Sequence, residues 1–231
     1  MRGEIISYIE MCQNEGLSLQ KGMNFDVRSN HPVILMSVRK NAPYHDQISE
    51  DGTELIYEGH DVPKRANEPD PKRVDQMLTN PSGSHTENGK FYAAAEAYKE
   101  GRTEPACIQV YEKIKPGIWS DNGLFSLVDA WKEFDGTRSV YKFKLRALSD
   151  YKATKAASAL REHDTPNRII PSSVKLEVWK RDGGKCVMCG ATSELHFDHI
   201  VPFSKGGTSV KADNIQLLCA RHNLEKSNKI E

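Results

Sequence analysis

Four residues, Cys186, Cys189, Cys219 and His222, constrain this chain more than anything else in it. Cys186-Val-Met-Cys189 and Cys219-Ala-Arg-His222 are two close pairs separated by a long loop. Together they supply four soft or borderline ligands, enough to close a tetrahedral zinc site. A unit of about 60 residues buries too little apolar area to hold itself together, so a structural metal substitutes for the missing core. The spacing therefore predicts a small zinc-braced C-terminal domain that unfolds when the metal is lost. Asp198, His199, Asn214 and Asn223 are left over by this ligand set.

The 231 residues suffice for one large or two modest domains. A formal net charge of zero does not advertise a nucleic-acid partner. It does not exclude one either, because phosphate affinity depends on a few well-placed Lys or Arg rather than on overall charge. No apolar run approaches the roughly 20 residues that cross a bilayer, and Met1-Arg-Gly-Glu lacks an apolar signal core. A cytoplasmic protein is expected. Cys12 and Cys107 stand outside the zinc pattern and are expected to be small buried hydrophobes rather than a disulfide.

Ile5, Ile6, Tyr8, Ile9 and Cys12 fall at helical spacing, which predicts a short amphipathic helix ending near Gly16. Apolar runs at 33–38, 54–57, 107–111 and 140–145 read as strands, the last alternating apolar with basic residues. Long Pro/Asn/Gly/Ser-rich loops separate them, notably 60–89, with an Ala-rich helix near 90–100. The pattern predicts a β-rich domain over 1–148, a part-helical linker over 149–170 and the zinc-braced unit over 171–231. Within that unit, 195–200 and 215–218 read as short strands and 220–227 as a helix.

The order Cys186-x-x-Cys189, Asp198-His199, Asn214, Cys219-x-x-His222-Asn223 resembles the HNH (ββα-metal) endonuclease family. The resemblance implies that Asp198 and Asn223 coordinate a divalent ion, that His199 is the general base, and that Asn214 orients the histidine or its loop. Hard oxygen ligands suit Mg²⁺ or Mn²⁺ and leave positions open for phosphate and water. His222 stands where many members have a fourth Cys, and Asn223 where a His is common. His196 is expected to be a surface strand residue, and Lys226 and Lys229 helix-surface lysines.

A second resemblance covers about 32–148. Tyr44-His-Asp46 and Glu54-Leu-Ile-Tyr57-Glu-Gly59, followed by Gly117-Ile-Trp-Ser-Asp121-Asn-Gly123-Leu-Phe125, Val128 and Trp131, are similar to the SRA (YDG) domain, which reads 5-methylcytosine. It implies an α+β chain: a PUA-like twisted barrel with flanking helices, joined to the small ββα-metal domain. A cytosine inside the stack hides its C5 edge, so it must be rotated out at a cost of a few kcal/mol. Stacking on aromatic faces returns about 1–3 kcal/mol per base; Tyr44 and Tyr57 are the candidate rings. The exocyclic amine is a donor, and Asp46 is the candidate acceptor. Glu58 stands where eukaryotic members carry Thr, and Asp121-Asn-Gly-Leu-Phe departs from the usual Asp-Gly-Tyr, so the accepted modification stays open. His60, Asp61 and the pairs Lys64-Arg65 and Lys72-Arg73 either touch phosphate or keep their loops solvated.

The combination implies a modification-dependent endonuclease that flips 5-methylcytosine or 5-hydroxymethylcytosine in double-stranded DNA and hydrolyses the backbone with one divalent ion. Homodimerisation would follow if each site cuts one strand. The alternatives are an HNH endonuclease of phage or mobile-element type reading unmodified DNA, and a non-catalytic zinc-stabilised DNA reader.

Overall fold

A computed structural model describes residues 4–27, 31–49, 53–148, 170–202 and 205–226. Its N-terminal unit is built on one sheet. The strands are β1 (Ile5–Ser7), β2 (Met23–Asn24), β3 (Val33–Met36), β4 (Gln47–Ile48), β5 (Glu54–Glu58), β6 (Cys107–Lys115), β7 (Ile118–Phe134) and β8 (Ser139–Ala147). Helices α1 (Tyr8–Glu15) and α2 (Glu87–Lys99) flank them. The pairing runs β2-β3-β6-β7-β8-β5-β4, with β1 added to β7 off that path. β3 and β6 are parallel, whereas the hairpins β6–β7 and β7–β8 are antiparallel. The chain is α+β, as expected.

The sheet curls until its two ends meet. One buried cluster takes Met23, Ile34 and Met36 from one end, Leu55 and Tyr57 from the other, and Phe91 and Ala95 from α2. The seam between β3 and β5 is joined by side chains instead of a ladder. Asp46 accepts hydrogen bonds from the backbone amides of Ser37 (2.9 Å) and Glu58 (3.1 Å), and the Tyr57 hydroxyl lies 3.5 Å from the Leu35 carbonyl. Phe91 is fully buried between these faces, so truncating it to Ala would cost about 3–5 kcal/mol.

The four expected strand runs and the Ala-rich helix form where the sequence placed them. The N-terminus differs: Ile5 to Ser7 is a strand, and the helix begins only at Tyr8. Ser7 is the reason. Its side chain accepts from the Glu10 amide while the Glu10 carboxylate accepts from the Ser7 amide, a capping box that fixes Ser7 in an extended conformation. β7, the longest strand, was not anticipated as one, because a register shift between Leu127 and Asp129 breaks its alternation.

The C-terminal unit comprises α3 (Ser172–Arg181), β9 (Leu195–His199), β10 (Ile215–Cys219) and α4 (Ala220–Lys226). β9 and β10 pair antiparallel, with His199 opposite Ile215 and Asp198 opposite Gln216. Val174 and Val178 of α3 pack on Phe197, Ile215 and Leu217, while Leu195 and Leu218 pack beside the cysteines. The expected linker lies outside the described residues except Ile170, which is buried in this unit's own core. α3 carries no strong sequence signal and was not expected. No helix among the described residues is long and apolar enough to cross a membrane.

Candidate functional site

The four zinc-pattern residues come together. The ligand atoms of Cys186, Cys189, Cys219 and His222 all lie within 4.8 Å of one another. Cys189 Sγ and Cys219 Sγ are 3.8 Å apart, and His222 Nδ1 is 3.3 Å from Cys186 Sγ and 3.4 Å from Cys219 Sγ. A tetrahedron with metal–sulfur bonds of about 2.3 Å has edges of about 3.8 Å, so the set fits zinc without rearrangement. Burial opposes the Cys186 thiolate. Hydrogen bonds from the Cys219 amide, His222 and the amides of the knuckle outweigh it and bring the thiol down to about 6, which favours the ligating form. Four protein donors would fill a tetrahedral zinc and leave no open position for a substrate.

Asp198 and His199 stand at the end of β9. Asp198 Oδ2 takes the Lys226 ammonium at 2.9 Å and the Gln216 amide at 3.4 Å. Its Oδ1 has no protein partner among the described residues and is the atom free to hold a cation. Lys226 also donates to the His199 carbonyl at 2.6 Å, so α4 grips both members of the dipeptide. Asn223 precedes Lys226 by three residues on the same helix, a spacing that puts the two on one face. The expectation of a surface lysine at 226 is corrected: its side chain is 2 % exposed, because β9 covers that face of α4.

His199 Nε2 lies 2.8 Å from the hydroxyl of Ser209, which is fully buried. Burial holds the imidazole below its ordinary value, with Asp198 opposing and Lys226 assisting. Asn214 does not bond the histidine. Its amide accepts from the Val201 amide at 2.8 Å and donates to the carbonyls of Val201 and Thr208 at 3.1 and 2.9 Å, clamping the loop that carries Ser209. That loop passes so close that a Cβ on Gly207 would sit 1.8 Å from the Val201 carbonyl oxygen, so only glycine fits. His196 is also corrected: it is 1 % exposed, with Nδ1 buried and unpaired among the described residues, because the N-terminal segment at Glu4 covers it.

At the sheet's seam lies a cavity of about 760 Å³, lined by Tyr44, Asp46 and Tyr57 together with Met36, His60 and Trp119. Burial pushes Asp46 up to about 7, against the two backbone amides that favour its charged form. His60 belongs to this cavity and not to a solvated loop. Its ring stacks on Tyr44, centroids 5.5 Å apart at 22°, and its Nε2 lies 3.3 Å from the Tyr57 hydroxyl. Burial brings it down to about 4, so it is neutral near pH 7. Asn88 of α2 fixes its backbone with two 2.8 Å hydrogen bonds, a contact spanning 28 residues that no local pattern reveals. A Cβ on Gly22 would lie 2.7 Å from both Tyr57 and His60, so this wall also needs glycine.

The neighbouring charges are committed elsewhere. Glu58 is buried, pairs with Lys142 at 2.9 Å and Arg138 at 3.7 Å, and does not line the cavity. Asp61 pairs with Arg138 and Lys72, and Lys72 stands 4.0 Å from the Tyr44 ring centre. Asp121 accepts from Gln109 and from the Gly123 amide, both at 2.7 Å, within the sheet.

Comparison with known proteins matches residues 186–229 to the HNH endonuclease family model. No curated protein matches the chain. Among solved structures, the chain is similar to the SUVH5 SRA domain in complex with methylated CHH DNA, at 19 % identity and a TM-score of 0.43, over 64 % of this chain and 88 % of that one. It is also similar to the modification-dependent TagI restriction endonuclease, at 20 % identity and a TM-score of 0.43, over 99 % of this chain and 78 % of that one. A third likeness is to KRYPTONITE in complex with mCHG DNA, at 18 % identity and a TM-score of 0.42, over 71 % of this chain and 34 % of that one.

Proposed function

We propose that this chain is a modification-dependent DNA endonuclease, which extrudes 5-methylcytosine or 5-hydroxymethylcytosine into the seam cavity and hydrolyses the backbone at the β9–α4 centre. The observation that carries the reading is a juxtaposition within one chain. The segment matching the HNH family model presents Asp198 and His199 side by side, and the other unit gathers Tyr44, Asp46 and Tyr57 around one cavity.

At the cavity, Asp46 is held by two backbone amides, so its carboxylate needs no reorganisation to accept from a cytosine amine. Tyr44 and His60 offer aromatic faces on which an extruded base can stack. At the nuclease centre, a Mg²⁺ or Mn²⁺ ion held by Asp198 and Asn223 would offset charge on the scissile phosphate and the departing 3′ oxygen. His199 is kept neutral by burial and takes the proton of the attacking water. In the tautomer whose Nε2–H is directed at Ser209, the lone pair that takes this proton is on Nδ1. The products carry 5′-phosphate and 3′-hydroxyl ends. Cys186, Cys189, Cys219 and His222 hold zinc and take no part in the chemistry. One centre severs one strand, so a double-strand break requires two copies of the chain.

The test compares matched plasmids carrying cytosine, 5-methylcytosine or 5-hydroxymethylcytosine, with Mg²⁺ or Mn²⁺ supplied. The modified plasmids should be cut and the unmodified one spared. His199→Ala should abolish cutting while modified DNA is still bound, and Asp46→Ala should erase the preference. Equal cutting of all three plasmids removes the base-reading half of the proposal, and cutting by His199→Ala removes the assigned base.

A further inference from the structure

A buried ion pair joins the two units. Lys175 of α3 is 2 % exposed, and its ammonium lies 2.6 Å from Glu112 Oε2 on β6 and 2.6 Å from Asn122 Oδ1 on β7. Glu112 is fully buried, and Asn122 donates to the same carboxylate oxygen at 3.0 Å. A buried ammonium and a buried carboxylate are each unfavourable without the other. The pair is satisfied in one placement of the units, and sliding either by a few ångströms breaks both 2.6 Å contacts of the buried ammonium.

β1 supplies a second tie. Successive side chains of a strand point to opposite faces. Ile6 enters the apolar cluster of the N-terminal unit with Met11 and Trp119, while Ile5 packs on both small cores of the C-terminal unit. Glu4 bridges antiparallel to His196, two positions before Asp198. A third tie is Lys115, whose ammonium stands 4.7 Å from the Trp179 ring centre. Three ties at separate places fix an orientation as well as a distance.

We infer that Lys175 is a positioning residue that sets how far from the modified base the backbone is cut. This inference rests on the proposed function. By locking α3 to β6 and β7, Lys175 holds the centre at Asp198 and His199 at a constant offset from the cavity at Asp46. The protein is then a caliper, and a DNA strand advancing about 3.4 Å per nucleotide converts any slack between the units into scatter of the cut position.

The experiment uses the full chain, zinc-loaded, on a duplex carrying a single 5-methylcytosine, with cut positions mapped on both strands. Fluorophores at exposed Ser82 and Lys185 report the distribution of distances between the units. The unsubstituted protein should give a narrow set of cuts and one narrow distance distribution. Lys175→Met should broaden both, with zinc content and affinity for the duplex unchanged. Lys175→Met/Glu112→Gln, which leaves no buried charge unpaired, keeps the test decisive if the single variant fails to fold. Scattered cuts by the unsubstituted protein, or an unchanged narrow set from a folded variant, would overturn the inference. A duplex left whole by the unsubstituted protein would remove the nuclease reading and the cut-distance claim with it. The distance distributions would then still decide whether Lys175 holds the units together.

Discussion

Asp46 and His60 sit in one cavity with opposite perturbations from the same cause. Asp46 moves from an ordinary 3.8 up to about 7, so the folded chain holds this proton where the unfolded chain has lost it. Its contribution to stability falls as the pH climbs between those values. His60 moves from 6.5 down to about 4, so here the unfolded chain binds the extra proton, and stability rises with pH across nearly the same window. The two slopes offset between about pH 4 and pH 6.5, and removing one exposes the other. Asp46→Ala should gain stability with rising pH by about 3 kcal/mol relative to the unsubstituted protein, and His60→Ala should lose a comparable amount. Urea unfolding at pH 4.5, 5.5 and 6.5 checks this; parallel profiles for all three proteins would refute it.

At the candidate nuclease centre, Ser209 touches His199 and Lys226 touches Asp198. Ser209→Ala and Lys226→Met should each lower cutting about 10- to 100-fold, the usual effect of losing an outer partner of a ligand or base. Nicking rates measured with zinc content held constant test the pair. Neither residue was legible as functional. A lysine on a short helix reads as solvated until the strand that covers it is known, and Ser209 acquires its role only through a loop clamped by Asn214. The gathering of Cys186, Cys189, Cys219 and His222, and the placement of Asp198 and His199 at the end of β9, were legible because the chemistry expected of them demands particular residue types at particular separations.

Among the elements, β9, β10 and α4 were readable as short apolar runs between ligand pairs, whereas α3 and the strand β1 were not. A three-residue strand cannot be told from the first turn of a helix by periodicity, and only the capping box at Ser7 marks the change. The β9–β10–α4 unit is expected to depend on a metal held by Cys186, Cys189, Cys219 and His222. Ligation in such units has an apparent free energy of about 10 kcal/mol or more, comparable to the gross burial of these two small clusters and well above a domain's marginal net stability. Chelation should therefore melt this unit while the eight-stranded sheet persists. Trp179, packed on both small cores, would become exposed with little loss of the far-ultraviolet sheet signal. Loss of the entire signal on chelation would show that the sheet also needs zinc.

For the whole molecule, the sequence indicated two units but not how they are joined. Lys175 lies more than 50 residues from the β6–β7 hairpin that carries Glu112 and Asn122, and nothing local distinguishes the three from surface residues. Ile5→Asp places a charge between the two small cores of the C-terminal unit. It should lower that unit's stability by about 1–3 kcal/mol while the seam cavity keeps its affinity for the modified base. Denaturant titration followed at Trp179, beside a binding measurement, tests both halves of this statement.

The two-faced strand at Ile5 also bears on the order in which the protein is made. Residue 5 leaves the ribosome long before residue 170, and chains fold from the N-terminal side as they emerge. The sheet should resist protease in nascent chains stalled once residue 148 has left the ribosome, before the C-terminal unit has emerged. If it does, the cutting half matures last, against a partner already folded, and translation itself delays the appearance of an active nuclease.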